Sequence, residues 1–153
     1  MCGIELFVLK DGSVQSLEEF EERFKVQDVL RKRGPDYQAI KEVHHHNQHL
    51  CWLRSTVLHM RGINVTPQPL SDDPESSIIN SSFLQWNGEI FSGNVEVPHD
   101  ENDGKHLFHA LKCAAQSDDP SNAIVELISN VHGPYALCFF DVGFYFGSIW
   151  EIK

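Results

Sequence analysis

The sequence predicts a layered α+β domain. Short apolar runs of strand length lie near its start, middle and end, two helical stripes fall between them, and one more helix lies near the start. A chain of 153 residues suffices for one domain with a buried core, and 41% hydrophobic content is ordinary for a globular protein. No internal repeat or low-complexity segment interrupts it. Residues 1–153 are therefore read as one domain.

Residues 4–9 read as an opening strand, closed by Asp11-Gly12. Ser16 is the expected N-cap of a helix whose first turn carries Glu18 and Glu19, where carboxylates meet the positive end of the dipole. Leu17, Phe20 and Phe24 share one face, and Val29 and Leu30 extend the apolar side. Arg31, Lys32 and Arg33, then Gly34-Pro35, end that single helix. Residues 37–43 and 49–60 read as two strands, and Pro67, Pro69 and residues 72–77 as a surface loop. A strand over 78–86 runs into Asn87-Gly88-Glu89. A helix over 105–115 buries Leu107, Phe108 and Leu111. Pro120-Ser121 opens another helix that turns Ile124, Leu127 and Ile128 inward. Residues 135–141 and 144–149 form a closing hairpin around Val142-Gly143.

Charge narrows the range of partners. There are 22 acidic residues against 12 basic, a formal net charge of −10. That balance argues against nucleic acid and anionic membranes, which need clustered Lys and Arg. No apolar run approaches the ~20 residues of a membrane span. No basic segment precedes residues 4–9, so no secretory signal is expected. Cys2, Cys51, Cys113 and Cys138 form no Cys-x-x-Cys pair, which fits a reducing, cytoplasmic setting. His44, His45, His46 and His49 lack Cys or carboxylate partners at ligand spacing, and His106 with His109 supply only two ligands. Neither metal nor cofactor is expected.

Cys2 carries the chemistry. Loss of Met1 would leave a thiol and a free α-amine on one residue. A thiol is strongly nucleophilic only as thiolate. An α-amine titrates near pH ~7.7–8.0, so it can take that proton at neutral pH.

Three further phrases align with Met1-Cys2-Gly3-Ile4: Arg33-Gly34-Pro35-Asp36, Trp86-Asn87-Gly88-Glu89-Ile90-Phe91 and Gly133-Pro134-Tyr135-Ala136-Leu137. In order and spacing they resemble the class II glutamine amidotransferase domain, of the N-terminal nucleophile hydrolase type. Leu58-His59-Met60-Arg61-Gly62 and Glu101-Asn102-Asp103 bring the likeness to the amidotransferase half of the asparagine synthetase family. The resemblance spans residues 1–147. It implies a four-layer αββα sandwich and hydrolysis of glutamine to glutamate and ammonia through a thioester on Cys2. It also implies an oxyanion hole from the Asn87 side chain and the Gly88 N–H. Asn87-Gly88 is equally a turn dipeptide, and the two roles are compatible. Glu89 and Asp103 would hold the substrate ammonium, while Arg33 and Asp36 would pack near the nucleophile or simply terminate the helix.

Two departures stand out. The family holds the substrate carboxylate with an arginine in a His-x-Arg-Leu segment, and Leu58 takes that place here. Arg61 is the nearest substitute and Arg54 another, because a guanidinium fork suits a carboxylate. After Phe146-Gly147 the family's Arg-Asp and following loop are missing, and no Ser-Gly-Gly-x-Asp-Ser loop provides an ATP site. The expectation is a sandwich incomplete at its C-terminus, a shortened domain without its synthetase partner. Two alternatives stand beside the reading: a catalytically inactive, shortened amidotransferase-like protein that serves as an interaction module or has no stable function, and an amidotransferase feeding purine or hexosamine synthesis.

Overall fold

The computed structural model describes residues 2–8, 16–24, 26–45, 48–73, 81–141 and 144–151. The expected turns Asp11-Gly12 and Val142-Gly143, His46, residues 74–77 of the loop and the first three residues of the 78–86 strand lie outside them.

Strands β1 (Gly3–Val8), β3 (Gln48–Val57) and β2 (Tyr37–His45) form one antiparallel sheet in the order β1-β3-β2. A second antiparallel sheet orders β4 (Leu70–Ser71), β5 (Phe83–Gly88), β8 (Tyr135–Asp141) and β9 (Phe144–Glu151). A ribbon pairs β6 (Ser92–Gly93) with β7 (Val131–His132). Helices α1 (Leu17–Phe24) and α2 (Gln27–Arg33) precede β2, and α3 (Asp103–Ala115) and α4 (Pro120–Ser129) precede β7. The α+β expectation is borne out.

The period-two alternation of a strand decides what each face touches. On β3, Cys51 and Leu53 join Val43, Phe83 and Cys138 in a cluster drawn from both sheets. Trp52 points the other way, stacking on Phe7 at 5.6 Å and packing with Leu17 of α1. The next even position, Arg54, reaches Glu21 of α1 at 2.7 Å and Glu5 of β1 at 3.5 Å. Thr56 donates to the Leu30 carbonyl of α2 at 2.7 Å. On the second sheet, Leu84, Trp86, Leu137 and Phe139 face α3 and α4 and join Leu107, Leu111, Ile124 and Ile128.

Gln85, fully buried on β5, crosses between the sheets. Its Nε2 donates to the Arg54 carbonyl at 2.7 Å, Ser55 Oγ at 3.1 Å and the Glu5 carbonyl at 3.2 Å. A net hydrogen bond contributes about 0.5–1.5 kcal/mol, and a buried Leu or Phe side chain about 1.5–3 kcal/mol. The apolar cluster therefore holds the sheets together, while Gln85 fixes how they slide.

The first helix differs from expectation: it is two helices. Ser16 Oγ caps α1 as expected, accepting the Glu19 N–H at 3.2 Å. In a straight helix Leu30 would lie about 220° around the axis from Leu17, given the ~3.6-residue turn. Val26, which lies outside both helices ahead of α2, lets Leu17 meet Trp52 and Leu30 bury over Thr56. Val29 does not extend the apolar side; it stands 61% exposed. The strand expected over 49–60 ends at Val57, which frees residues 58–60 for the pocket described below.

Candidate active site

Cys2 precedes β1, and its thiol points at the Leu58 carbonyl, 3.7 Å away. Its own carbonyl accepts from Arg33 Nε at 3.2 Å. The Arg33-Gly34-Pro35-Asp36 segment is stitched to the end of β3. Asp36 N–H donates to the Val57 carbonyl at 3.0 Å, and the Asp36 carboxylate accepts the His59 N–H at 2.7 Å. Gly34 lies against the Thr56–Val57 peptide so closely that a Cβ would sit 2.3 Å from the Thr56 carbonyl carbon. The helix-terminating segment thus also braces the nucleophile candidate, so both expected roles coexist.

Asn87 and Gly88 end β5, opposite Ala136 and Tyr135 of β8. Gly88 has no room for a side chain, since a Cβ would meet Tyr135 Cβ at 2.5 Å and the Pro134 carbonyl oxygen at 2.7 Å. Trp86 is buried and stacks on Tyr135 at 5.4 Å, forming a floor beneath the end of β5, so the expected turn dipeptide Asn87-Gly88 is instead paired strand. Burial raises the Tyr135 pKa, and its hydroxyl donates to the Ile128 carbonyl at 3.0 Å. Beyond Gly88 the chain is held residue by residue. Glu89 N–H reaches the Pro134 carbonyl at 3.1 Å, Ile90 N–H reaches Asp103 Oδ2 at 3.0 Å, and Phe91 N–H reaches the His132 carbonyl at 2.8 Å.

Asp103 begins α3 and is 3% exposed, with its other oxygen accepting the Gly104 N–H at 2.9 Å. Arg61 spans the loop after β5: Nη1 donates to the Ile90 carbonyl at 3.0 Å and Nη2 to the Val97 carbonyl at 3.3 Å.

A cavity of about 320 Å³ opens between these segments. Cys2, Asn87, Gly88, Glu89, Asp103 and Arg61 all line it, as does Arg33. Its walls offer a thiol, an amide, carboxylates and guanidinium groups around a space of amino-acid size. Arg54 does not belong to it. That residue faces a separate cavity of about 230 Å³ and is committed to Glu5 and Glu21, so it is corrected as a substitute for the family arginine. Leu58 lines the main cavity.

Two contributors escaped sequence reading. Gln68 is 4% exposed and its Oε1 accepts the Trp86 N–H at 2.7 Å, fixing the strand that ends in Asn87. Gln85 sets the two sheets, and hence Cys2 and Asn87, against each other. A glutamine inside an apolar strand and one bracketed by prolines were the available signals. On α3, His106 pairs with Glu101 at 2.6 Å and His109 with Cys113 at 3.8 Å, so the two imidazoles serve different partners. Among the described residues no group of three His, Cys, Asp or Glu could hold a metal. No helix among them is long and apolar enough to cross a membrane.

Fold and pocket describe an α+β domain built around a cysteine-bearing cavity, and sequence comparison relates it to asparagine synthetase-like proteins. No protein-family model matches the chain. The chain is a homologue, over nearly its whole length, of asparagine synthetase domain-containing protein 1. It is 34% identical to the Gallus gallus protein over 153 residues, 98% of the chain. It is 33% identical to that of Bos taurus over 156 residues, again 98% of the chain, and 33% identical to that of Homo sapiens over 147 residues, 92% of it. The chain spans about one fifth of the length of these relatives: 21%, 21% and 19%.

Proposed function

We propose that the chain is a glutamine amidotransferase domain that hydrolyses glutamine to glutamate and ammonia. The observation that carries this is the convergence of Cys2, Asn87, Gly88, Glu89, Asp103 and Arg61 on one cavity. These residues come from four separated stretches of sequence. The contacts of α1 and α2 on one sheet, sheet on sheet, and α3 and α4 beyond support reading the fold as the αββα sandwich of N-terminal nucleophile hydrolases.

In this reading Met1 is removed and the Cys2 α-amine takes the thiol proton. The thiolate adds to the side-chain amide carbon of glutamine. The oxygen of the tetrahedral adduct accepts from Asn87 Nδ2 and Gly88 N–H. The adduct collapses as the protonated amine returns its proton to the departing ammonia, leaving a thioester on Cys2. Water, deprotonated by the same amine, opens the thioester and releases glutamate. Glu89 and Asp103 bind the substrate ammonium by opposite charge. No cofactor takes part. The name shared by the relatives makes asparagine-type synthesis the natural use of the ammonia. The proposed location is cytoplasmic, resting on the scarce, scattered cysteines.

The test is incubation of Met1-free chain with glutamine, scoring glutamate and ammonia, together with labelling by the glutamine-like electrophile 6-diazo-5-oxo-L-norleucine. Turnover and labelling should both vanish in Cys2→Ala. Labelling that persists there removes the assignment.

A second reading, an inactive domain serving as an interaction module, draws on Leu58 and on the engagement of Arg61 with backbone carbonyls. It expects a thermal melt unmoved by glutamine. The enzyme expects a raised melting temperature, because a ligand that binds only the folded state stabilises it.

A further inference from the structure

We infer that Arg33, rather than Arg61, holds the α-carboxylate of the amino-acid substrate; this rests on the amidotransferase reading and assigns a specificity determinant within it. Arginines 33 and 61 both line the cavity. They are not equally available. Each terminal nitrogen of Arg61 already holds a carbonyl, Ile90 O at 3.0 Å and Val97 O at 3.3 Å. A carboxylate taken in bidentate fashion across that pair would displace both bonds and release the loop they secure.

Arg33 presents the opposite arrangement. Only its Nε is used, in the 3.2 Å bond to the Cys2 carbonyl, and its two terminal nitrogens bond to none of the described residues. The guanidinium is thereby fixed at the residue that carries the thiol, with its fork left open. A fork of this kind matches a carboxylate bidentately, which an ammonium cannot do.

Reach is compatible. A short aliphatic chain separates the amide carbon of glutamine from its α-carboxylate, and Cys2 itself bears both the thiol and the carbonyl that anchors Arg33. The Glu89 side chain also lines the cavity without a bond to the described residues. An open cation and an open anion in one pocket suit a zwitterionic amino acid better than a simple amide. Occupancy of the fork by substrate also stiffens Arg33, and through its Nε the backbone of Cys2.

The experiment compares labelling rates at Cys2 of Met1-free chain by peptide mass analysis. The probes are 6-diazo-5-oxo-L-norleucine, its α-carboxamide, and iodoacetamide as a measure of thiol reactivity alone. Wild type should prefer the free carboxylate by about 10- to 100-fold, the range of one or two charge-assisted hydrogen bonds. Arg33→Gln should erase that preference, read as the ratio of the two probe rates after each is divided by that variant's own iodoacetamide rate. Arg33→Lys, which keeps charge without the fork, should recover part of the preference. A preference that survives in both variants overturns the Arg33 assignment and leaves the amidotransferase reading standing. No preference in wild type overturns the amidotransferase reading, and Arg33 with it.

Discussion

Arg61 and Ile90 are locked to one another. Arg61 Nη1 donates to the Ile90 carbonyl at 3.0 Å, while the Ile90 N–H is spent on Asp103. Both polar groups of one peptide residue are thus held by side chains, immediately after the Asn87-Gly88-Glu89 segment that ends β5. Arg61→Ala removes the bonds to Ile90 and Val97. Hydrogen bonds to charged groups contribute about 1.5–3 kcal/mol each, and partial exposure reduces that, so a loss of about 2 kcal/mol is expected in urea unfolding. Amide exchange at Ile90 should accelerate in the same variant. An unchanged midpoint and unchanged exchange would show that the loop stands without its arginine.

Gly88→Ala forces a methyl group against Tyr135 Cβ and the Pro134 carbonyl. Overpacking of this kind costs about 1–3 kcal/mol, and here the strain falls on the strand end that carries Asn87. The expected result is a folded, less stable chain whose Cys2 no longer reacts preferentially with glutamine-like electrophiles. Iodoacetamide labelling should continue, because the thiol itself is untouched.

Glu5 gives a pH signature. Burial raises its pKa above the ordinary 4.5, outweighing the Arg54 guanidinium, and Glu21 adds to the rise. The folded chain therefore keeps a proton that the unfolded chain has released. That contribution is fully present below the ordinary value and is lost as pH climbs from 4.5 through the raised value. Glu5→Gln should flatten the dependence of melting temperature on pH across this window. A slope equal to that of wild type would mean that another group carries it.

The thiols should sort into two classes. Burial pushes Cys51 up to about 12, helped by the neighbouring Cys138, and pushes Cys138 up to about 11. Cys113 is exposed and Cys2 is half-buried. At pH ~8, near the range where a free thiol begins to ionise, iodoacetamide should label Cys2 and Cys113 in the native chain. Cys51 and Cys138 should react only in denaturant. The raised values also predict falling stability as pH rises above the ordinary 9.0, because the unfolded chain then sheds thiol protons that the folded chain retains.

Period and punctuation made most of the fold legible. The apolar runs within 78–86 and 135–141, the stripe Leu107, Phe108 and Leu111, and the stop at Gly34-Pro35 all depend on neighbours in sequence, and the described residues follow them. The break between α1 and α2 was also readable, in the phase of Leu30 against Leu17. It was obscured by a continuous run of helix-compatible residues. The site residues were legible because they lie in short phrases. Their availability was not. Whether Arg61, Arg54 or Arg33 has open nitrogens depends on carbonyls and carboxylates from distant segments, and no spacing rule reports that. Gln68 and Gln85 stayed hidden for the same reason: a polar residue in an apolar setting has a meaning only once its partner is in place.

The thiol precedes β1 of one sheet and Asn87 ends β5 of the other, and Gln85 sets the two sheets across their shared apolar cluster. No fragment ending before β5 can present both. A chain still emerging from the ribosome therefore carries the cysteine before it carries the strand that completes the cavity beside it.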